Sequence, residues 1–136
     1  MLRRIFSILL GLVVGASIVM LVEYFGHTFF DQLVSANPTP EEIEKHLDST
    51  PFKALVMLPI AWFLGTLVGC TVAASIERVK KPMVIYVVAT FLLLLTCAYF
   101  LMMPNQHPIW LIVFGFIVHP LAAIIIAKIF SLFRAK

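Results

Sequence analysis

Four long apolar runs dominate the pattern of hydrophobic and polar positions along the chain. They cover about residues 5–30, 54–76, 83–103 and 109–130. Each run reaches or exceeds the roughly 20 residues that a helix needs to cross a hydrocarbon core of about 30 Å. A spanning segment must satisfy its own backbone hydrogen bonds in lipid, and these runs lack the alternation of a β-barrel strand. The pattern predicts an all-α integral membrane protein with four transmembrane helices.

The polar segments between the last three runs are short. "ERVKKP" joins the second run to the third, and "PNQHP" joins the third to the fourth. Short connections favour antiparallel neighbours in a helix bundle. We therefore predict a single transmembrane domain over residues 1–136, folded as an up-down-up-down four-helix bundle.

The longer segment between the first two runs carries helix signals of its own. In "TPEEIEKHLDSTP", Thr39 and Glu42 have the spacing of a capping box. Ile43 and Leu47 follow one turn apart and form a small apolar stripe. We predict a short amphipathic helix at about residues 40–48, lying on the outer membrane surface or over the mouth of the bundle.

Composition agrees with lipid as the main solvent of this chain. Hydrophobic residues make up 62% of the sequence and charged residues only 12%, whereas soluble domains carry about 25% charged residues. The basic residues lie at the ends of the apolar runs and do not alternate with aromatic residues. We therefore expect the lipid bilayer as a partner and do not expect nucleic acid.

The distribution of Lys and Arg predicts the orientation of the helices. One side of the predicted bundle holds Arg3, Arg4, Arg78, Lys80, Lys81, Lys128, Arg134 and Lys136, and the other holds Lys45 and Lys53. The positive-inside rule then places both termini in the cytoplasm. The first run continues past the length of a signal-peptide core and no A-x-A-like site follows it, so we expect an uncleaved membrane helix.

Small residues mark the expected contacts between helices. Gly11 and Gly15 form one GxxxG motif, Gly65 and Gly69 form a second, and Gly115 begins a stripe on the fourth helix. Close packing of small residues drives helix association in lipid. We predict that helices one, two and four form the packed centre and that helix three is the most exposed to lipid. The same stripes fit contacts within one chain or within a homo-oligomer.

Two ionisable residues lie near the outer end of the first run. Glu23 and His27 are four residues apart and therefore share one face of the helix. They fit a hydrogen-bonded structural pair, a proton or small-ligand site, or two ligands of a metal. Trp62 on the second helix needs a partner for its indole N–H, and Glu23 suits that role.

His119 lies deeper, at the middle of the last run. Gly115 and Ala123 flank it at four-residue spacing, which predicts a side chain that points into the bundle. The imidazole could hydrogen-bond to a neighbouring helix, or it could carry a proton or gate a ligand. We hypothesise that Glu23, His27, Trp62 and His119 form a ligand or proton site.

The stretch "MMPNQHP" adds soft ligands at the outer face. Met102, Met103 and His107, together with His27, could bind copper or zinc, although a plain turn explains the same residues. The chain carries no hydrolase, P-loop or dinucleotide motif, so we expect no cofactor and no enzymatic activity.

Three short motifs carry a resemblance to known proteins. They are "GLVVG" followed by E-x-x-G-H, then P-x-x-W-x-x-G-x-x-x-G, and "HPIW" before the last helix. In these motifs the chain resembles a loose group of short bacterial inner-membrane proteins of unknown function. The resemblance implies the four-helix layout and a bacterial inner-membrane location, and it implies no activity.

The first functional hypothesis is therefore a non-enzymatic oligomer or accessory subunit of a membrane complex. The alternatives are a small transporter or proton-linked permease that uses Glu23, His27 and His119, and metal handling at the outer face. Geometry discriminates between them. A cavity shared by Glu23, Trp62 and His119 favours transport, and dispersed or tightly packed side chains favour a structural role.

Overall fold

The computed structural model describes residues 2–29, 39, 41–42, 52–77, 82–102 and 108–134. The side chains of His27 and Arg134 are not among the described parts of the chain. All regular structure in these segments is helical.

The four predicted apolar helices are present. They are α1 (Leu2–Phe29), α2 (Phe52–Glu77), α3 (Met83–Met102) and α4 (Ile109–Arg134). Each is long and apolar enough to cross a membrane, as expected of a multi-pass membrane protein. The sequence placed the start of α1 three residues too late and the end of α4 four residues too early. Both differences fall where Arg residues flank the apolar run, because a helix extends into the interface beyond the residues of high hydropathy.

Glycines bring α1 and α2 into backbone contact. A Cβ atom on Gly69 would lie 2.6 Å from the carbonyl oxygen of Gly11, and one on Gly15 would lie 3.0 Å from the carbonyl oxygen of Gly65. No side chain fits in that space, so the two GxxxG motifs face each other. As residue numbers rise along α1 they fall along α2, and these two helices are therefore antiparallel. We call this contact the glycine seam.

The prediction that α3 is the most lipid-exposed helix is wrong. Both α2 and α3 contact all three other helices, whereas α1 and α4 make no contact with each other among the described residues. The buried residues of α3 are Val84, Ile85, Val88, Ala89, Leu92 and Thr96. Only 17% of the apolar window of α1 is buried, against 33% for α3, so α1 is the peripheral helix.

The physical reason for this error is the kind of contact that α3 makes. Small residues show where two backbones approach closely, but a branched side chain can fill a groove beside small residues on a partner helix. Ile85 and Val88 of α3 pack in one buried cluster with Ala73 and Ala74 of α2 and Ala123 of α4. Most of the small residues of this cluster thus lie on the partners of α3, and α3 contributes one, Ala89.

A polar cluster joins the beginning of α1 to the end of α2. The Arg4 guanidinium forms an ion pair with Glu77 at 2.9 Å, and the Glu77 side chain is only 6% exposed. Arg3 donates to the Ile76 carbonyl oxygen, which lies in the last turn of α2, where carbonyls lack helical partners. The Ser7 hydroxyl donates to the Arg4 carbonyl oxygen and lies 3.4 Å from the other Glu77 oxygen. We call these residues the Arg4–Glu77 clamp.

The predicted capping box in the outer segment is formed. The Thr39 backbone N–H donates to Glu42 at 2.9 Å, and the Glu42 backbone N–H donates to the Thr39 hydroxyl at 3.3 Å. Glu41 and Glu42 are helical. The remaining residues of the helix predicted at 40–48 lie outside the described part of the chain.

Candidate ligand pocket within the helix bundle

A cavity of about 190 Å³ lies among the four helices. Its walls are Ala16, Val19, Met20 and Glu23 of α1, Trp62 of α2, Leu92, Leu95, Thr96 and Tyr99 of α3, and His119 of α4. Glu23, Trp62 and His119, which the sequence marked as candidates, therefore face one space. We call this cavity the Glu23 pocket.

The Glu23 carboxyl group shares the pocket with two aromatic side chains. Trp62 of α2 and Tyr99 of α3 line the same cavity. The sequence named Glu23 as a partner for the Trp62 indole N–H, and that hydrogen bond stays a prediction. Glu23 therefore faces a space whose walls include aromatic side chains from two other helices.

Aromatic rings build the wall of the pocket on the side of α2 and α3. Trp62 makes edge contacts with Tyr99 at a centroid distance of 6.3 Å and with Phe100 at 5.5 Å. Gly115 of α4 leaves room for this group, since a Cβ there would lie 2.9 Å from a Phe100 ring carbon and 3.1 Å from a Trp62 ring carbon. Gly115 is therefore a packing residue, but it packs against rings and not against a neighbouring backbone.

His119 is buried and binds threonines on two other helices. Its Nδ1 lies 2.7 Å from the Thr66 hydroxyl oxygen of α2, and its Nε2 lies 2.9 Å from the Thr96 hydroxyl oxygen of α3. The sequence predicted an inward-pointing imidazole, and the side chain is only 2% exposed. One imidazole therefore links α2, α3 and α4.

The hydrogen bonds of Thr66 favour one tautomer of the neutral His119 ring. The Thr66 hydroxyl lies 2.8 Å from the Trp62 carbonyl oxygen one turn earlier, a bond that threonines in helices commonly make, and we place its single proton there. Thr66 can then only accept from His119, so Nδ1 carries the hydrogen and Nε2 is an acceptor. Thr96 donates its own hydroxyl proton to Nε2. Toward the pocket, Thr96 therefore offers only lone pairs.

Sequence reasoning missed both threonines and Tyr99. The available signal was weak, because a buried imidazole needs two partners and the apolar runs contain several hydroxyl groups. Thr71 and Thr90 are equally plausible in the sequence, but Thr71 is only half-buried and Thr90 is exposed. Only the rotation of α2 and α3 about their axes selects Thr66 and Thr96.

The Thr96–His119 pair has the spacing of a nucleophile and a base. Acyl transfer also needs hydrogen-bond donors aimed at the developing oxyanion, which are often backbone N–H groups. Thr96 and His119 both lie inside helices, where backbone N–H groups are bonded to carbonyls one turn earlier. The described backbone near this pair therefore offers no oxyanion site.

The predicted metal ligands are mostly outside the described chain. Met103, His107 and the side chain of His27 are not described, and Met102 is exposed at the end of α3. In the described segments, no three His, Cys, Asp or Glu side chains lie close enough together to hold a metal ion. Copper or zinc binding stays a prediction.

The comparisons of this chain with known proteins gave no match. No protein-family model matches the chain, and neither the curated proteins nor the solved structures give a significant match. The resemblance to short bacterial inner-membrane proteins therefore stays a prediction, and the pocket has to be interpreted from its own chemistry.

Proposed function

We propose that the chain is an up-down-up-down bundle in the bacterial inner membrane, with both termini in the cytoplasm. The biased distribution of Lys and Arg supports this orientation. The order of contacts supports the topology. Trp62 contacts Tyr99, and Cys70 donates to the Ile85 carbonyl oxygen, so residue numbers run in opposite directions along α2 and α3.

Cysteine accessibility in spheroplasts tests the orientation. In a variant whose two native cysteines are replaced by alanine, Thr39→Cys is expected to react with a membrane-impermeant maleimide. Ser131→Cys, near the end of α4, is expected to react only after the membrane is opened. The reverse pattern would contradict the proposed orientation.

We further propose that the protein binds a small ligand in the Glu23 pocket and acts as a small transporter or proton-linked permease. One observation carries this proposal: all four helices contribute to a single cavity that brings Glu23, Trp62 and His119 together. Ionisable residues at membrane depth are costly and usually mark the path of a substrate or proton. Mostly apolar walls with a few polar groups are typical of small-molecule sites.

The size of the pocket limits its ligand. An apolar cavity of roughly 150 Å³ holds benzene, and the Glu23 pocket measures about 190 Å³. A ligand with one ring and a short substituent therefore fits. Typical sites for drug-sized molecules are larger, about 300 Å³ or more.

Tryptophan fluorescence tests whether the pocket binds a ligand. The chain has two tryptophans, so Trp110→Phe leaves Trp62, which lines the pocket, as the only emitter. Ring-sized probes of different charge, namely benzylammonium, benzyl alcohol and benzoate, are titrated into the detergent-solubilised protein. At least one is expected to change the Trp62 emission saturably, and Ala16→Leu, which fills the pocket, should abolish the change. The proposal fails if no probe binds, or if Ala16→Leu binds equally well.

Proton flux tests the transport part of the proposal. Proteoliposomes that contain a trapped pH dye are given a membrane potential, and acidification is followed with and without the bound probe. Glu23→Gln and His119→Ala are expected to lower the flux, whereas Glu41→Gln, an exposed carboxylate outside the pocket, should not. Equal flux in wild type and Glu23→Gln would contradict a role for Glu23.

A role as an oligomer or accessory subunit stays the alternative prediction. The glycine stripes that led to it pack α1 against α2 within one chain. These stripes therefore no longer argue for self-association by themselves. Native mass spectrometry in detergent measures the oligomeric state directly.

A further inference from the structure

We propose that the Glu23 pocket selects a lipid-soluble monovalent organic cation, such as a protonated ring-sized amine, over neutral and anionic molecules of the same shape. This inference rests on the proposed ligand-binding function and names the chemical class of the ligand.

The first argument is the balance of charge in the pocket. Among the described lining residues, Glu23 is the only acidic side chain, and none is Lys or Arg. His119 is the one described lining residue with a basic nitrogen, and threonines occupy both of its ring nitrogens. The described lining therefore presents a carboxylate without a basic partner, and a bound cation would supply the missing charge.

The second argument is the hydrogen-bonding character of the walls. The Thr96 hydroxyl proton is directed to His119, so Thr96 offers a ligand a lone pair. Trp62 offers its indole ring to the same space. Ammonium N–H groups bind lone pairs, and aromatic rings attract cations. An anion would find no donor on Thr96.

The third argument is the direction in which the pocket opens. Met20 of α1 is 71% exposed and Leu95 of α3 is 59% exposed, and both side chains also line the pocket. Both residues lie inside helices of membrane-spanning length, so the rim that they form faces hydrocarbon. A ligand that reaches Glu23 between α1 and α3 must first dissolve in lipid. Inorganic cations do not dissolve there, whereas amines with an apolar ring do.

The matched probe series tests this inference. Trp62 emission in the Trp110→Phe background gives the dissociation constants of benzylammonium, benzyl alcohol and benzoate, which share a ring and differ in charge. Benzylammonium is expected to bind at least about tenfold more tightly than benzyl alcohol, because a fixed carboxylate attracts it at short range in a low-dielectric site. Benzoate is expected to bind most weakly.

Glu23→Gln is the decisive variant. It keeps the shape of the side chain and an oxygen that can accept from Trp62, so the fold is retained and only the charge is lost. Benzylammonium and benzyl alcohol are then expected to bind with similar affinity. Glu41→Gln, which removes an exposed carboxylate elsewhere, should keep the preference for the cation.

The outcomes separate this inference from the proposed function. If the probes bind in a pocket-dependent way but wild type prefers the alcohol or benzoate, or if Glu23→Gln keeps the preference for the cation, the inference is overturned and the pocket remains a ligand site. If a preference for the cation emerges only in His27→Ala, His27 already neutralises Glu23 and the inference is overturned. If no probe binds, the proposed function and the inference both fail.

Discussion

Glu77 and Glu23 are two carboxylates that lie at opposite ends of the contact between α1 and α2, and their surroundings differ. Glu77 pairs with Arg4 at 2.9 Å and lies near the Ser7 hydroxyl, so its charge is matched within the chain. Glu23 lines a cavity together with Trp62 and Tyr99, and none of the described pocket residues is Lys or Arg. A matched buried charge holds helices together, whereas an unmatched charge beside a cavity is available to a ligand.

The largest effect on stability is expected at the glycine seam, because the close contact of α1 with α2 positions both carboxylates. A Cβ on Gly69 would lie 2.6 Å from a backbone oxygen that cannot rotate away. Gly69→Leu should therefore lower the free energy of unfolding by at least about 3 kcal/mol, the upper part of the range for overpacked sites. Titration with SDS in mixed micelles, followed by circular dichroism, measures the change. Val68→Leu, on the exposed face of the same turn, is the control.

Removing Arg4 is expected to have the next largest effect. Arg4→Ala leaves the buried Glu77 carboxylate without its partner, which costs about 3–5 kcal/mol for fully buried pairs. The Arg4 side chain is 46% exposed, so we expect a smaller loss of about 2 kcal/mol in the same titration.

A double variant separates the pair from the rest of the clamp. Arg4→Ala combined with Glu77→Gln should regain part of the loss, because the unpaired charge is gone. Lys128→Ala removes an exposed charge of α4 and should change little. A loss at Arg4→Ala no greater than at Lys128→Ala would show that Glu77 does not need its partner.

His119→Ala, a substitution in the wall of the pocket, is expected to have an intermediate effect on stability. It removes two hydrogen bonds between helices, each worth about 0.6 kcal/mol on average in membranes, and leaves a small void. The expected loss is about 1–2 kcal/mol in the SDS titration. Thr66→Val, which removes one of the two bonds, should lose roughly half as much. If wild type, His119→Ala and Thr66→Val were equally stable, the imidazole would not hold the helices together.

Imidazole ¹⁵N NMR checks the same contacts by a different measurement. The hydrogen should reside on Nδ1 of His119, since Thr66 can only accept. A ring protonated on Nε2 alone would contradict this assignment. In that tautomer Thr96 would accept from Nε2, and its own hydroxyl proton would be available to a ligand in the pocket.

The smallest effect on stability is expected for Glu23→Gln, and this result would sharpen the comparison most. The charge of Glu23 has no basic partner among the described pocket residues, and the amide oxygen can still accept from Trp62. We expect a change within about 0.5 kcal/mol, the range of substitutions that break no structural feature. A loss as large as that of Arg4→Ala would show that Glu23 is structural like Glu77.

Hydropathy alone predicted the four helices, because each run is continuous and close to the thickness of a bilayer. The facing glycine motifs could also be inferred, since close packing of small residues needs a second helix. The position of α3 could not, because branched residues such as Ile85 and Leu92 suit either lipid or a groove between small residues. The Arg4–Glu77 pair was missed because residues 73 positions apart in sequence meet only once α1 and α2 are aligned.

The contacts of His119 have a consequence for how the bundle is assembled during synthesis. The chain emerges in the order α1, α2, α3, α4, and the imidazole belongs to the last helix. The Thr66 hydroxyl has an acceptor within α2, so its hydrogen bond is satisfied before the other helices pack. The Thr96 hydroxyl has its described partner, His119, only when α4 arrives. The same arrival brings Gly115 beneath the aromatic wall. The pocket is thus closed only when α4 arrives, and a chain stopped after α3 lacks one of the four helices that line it.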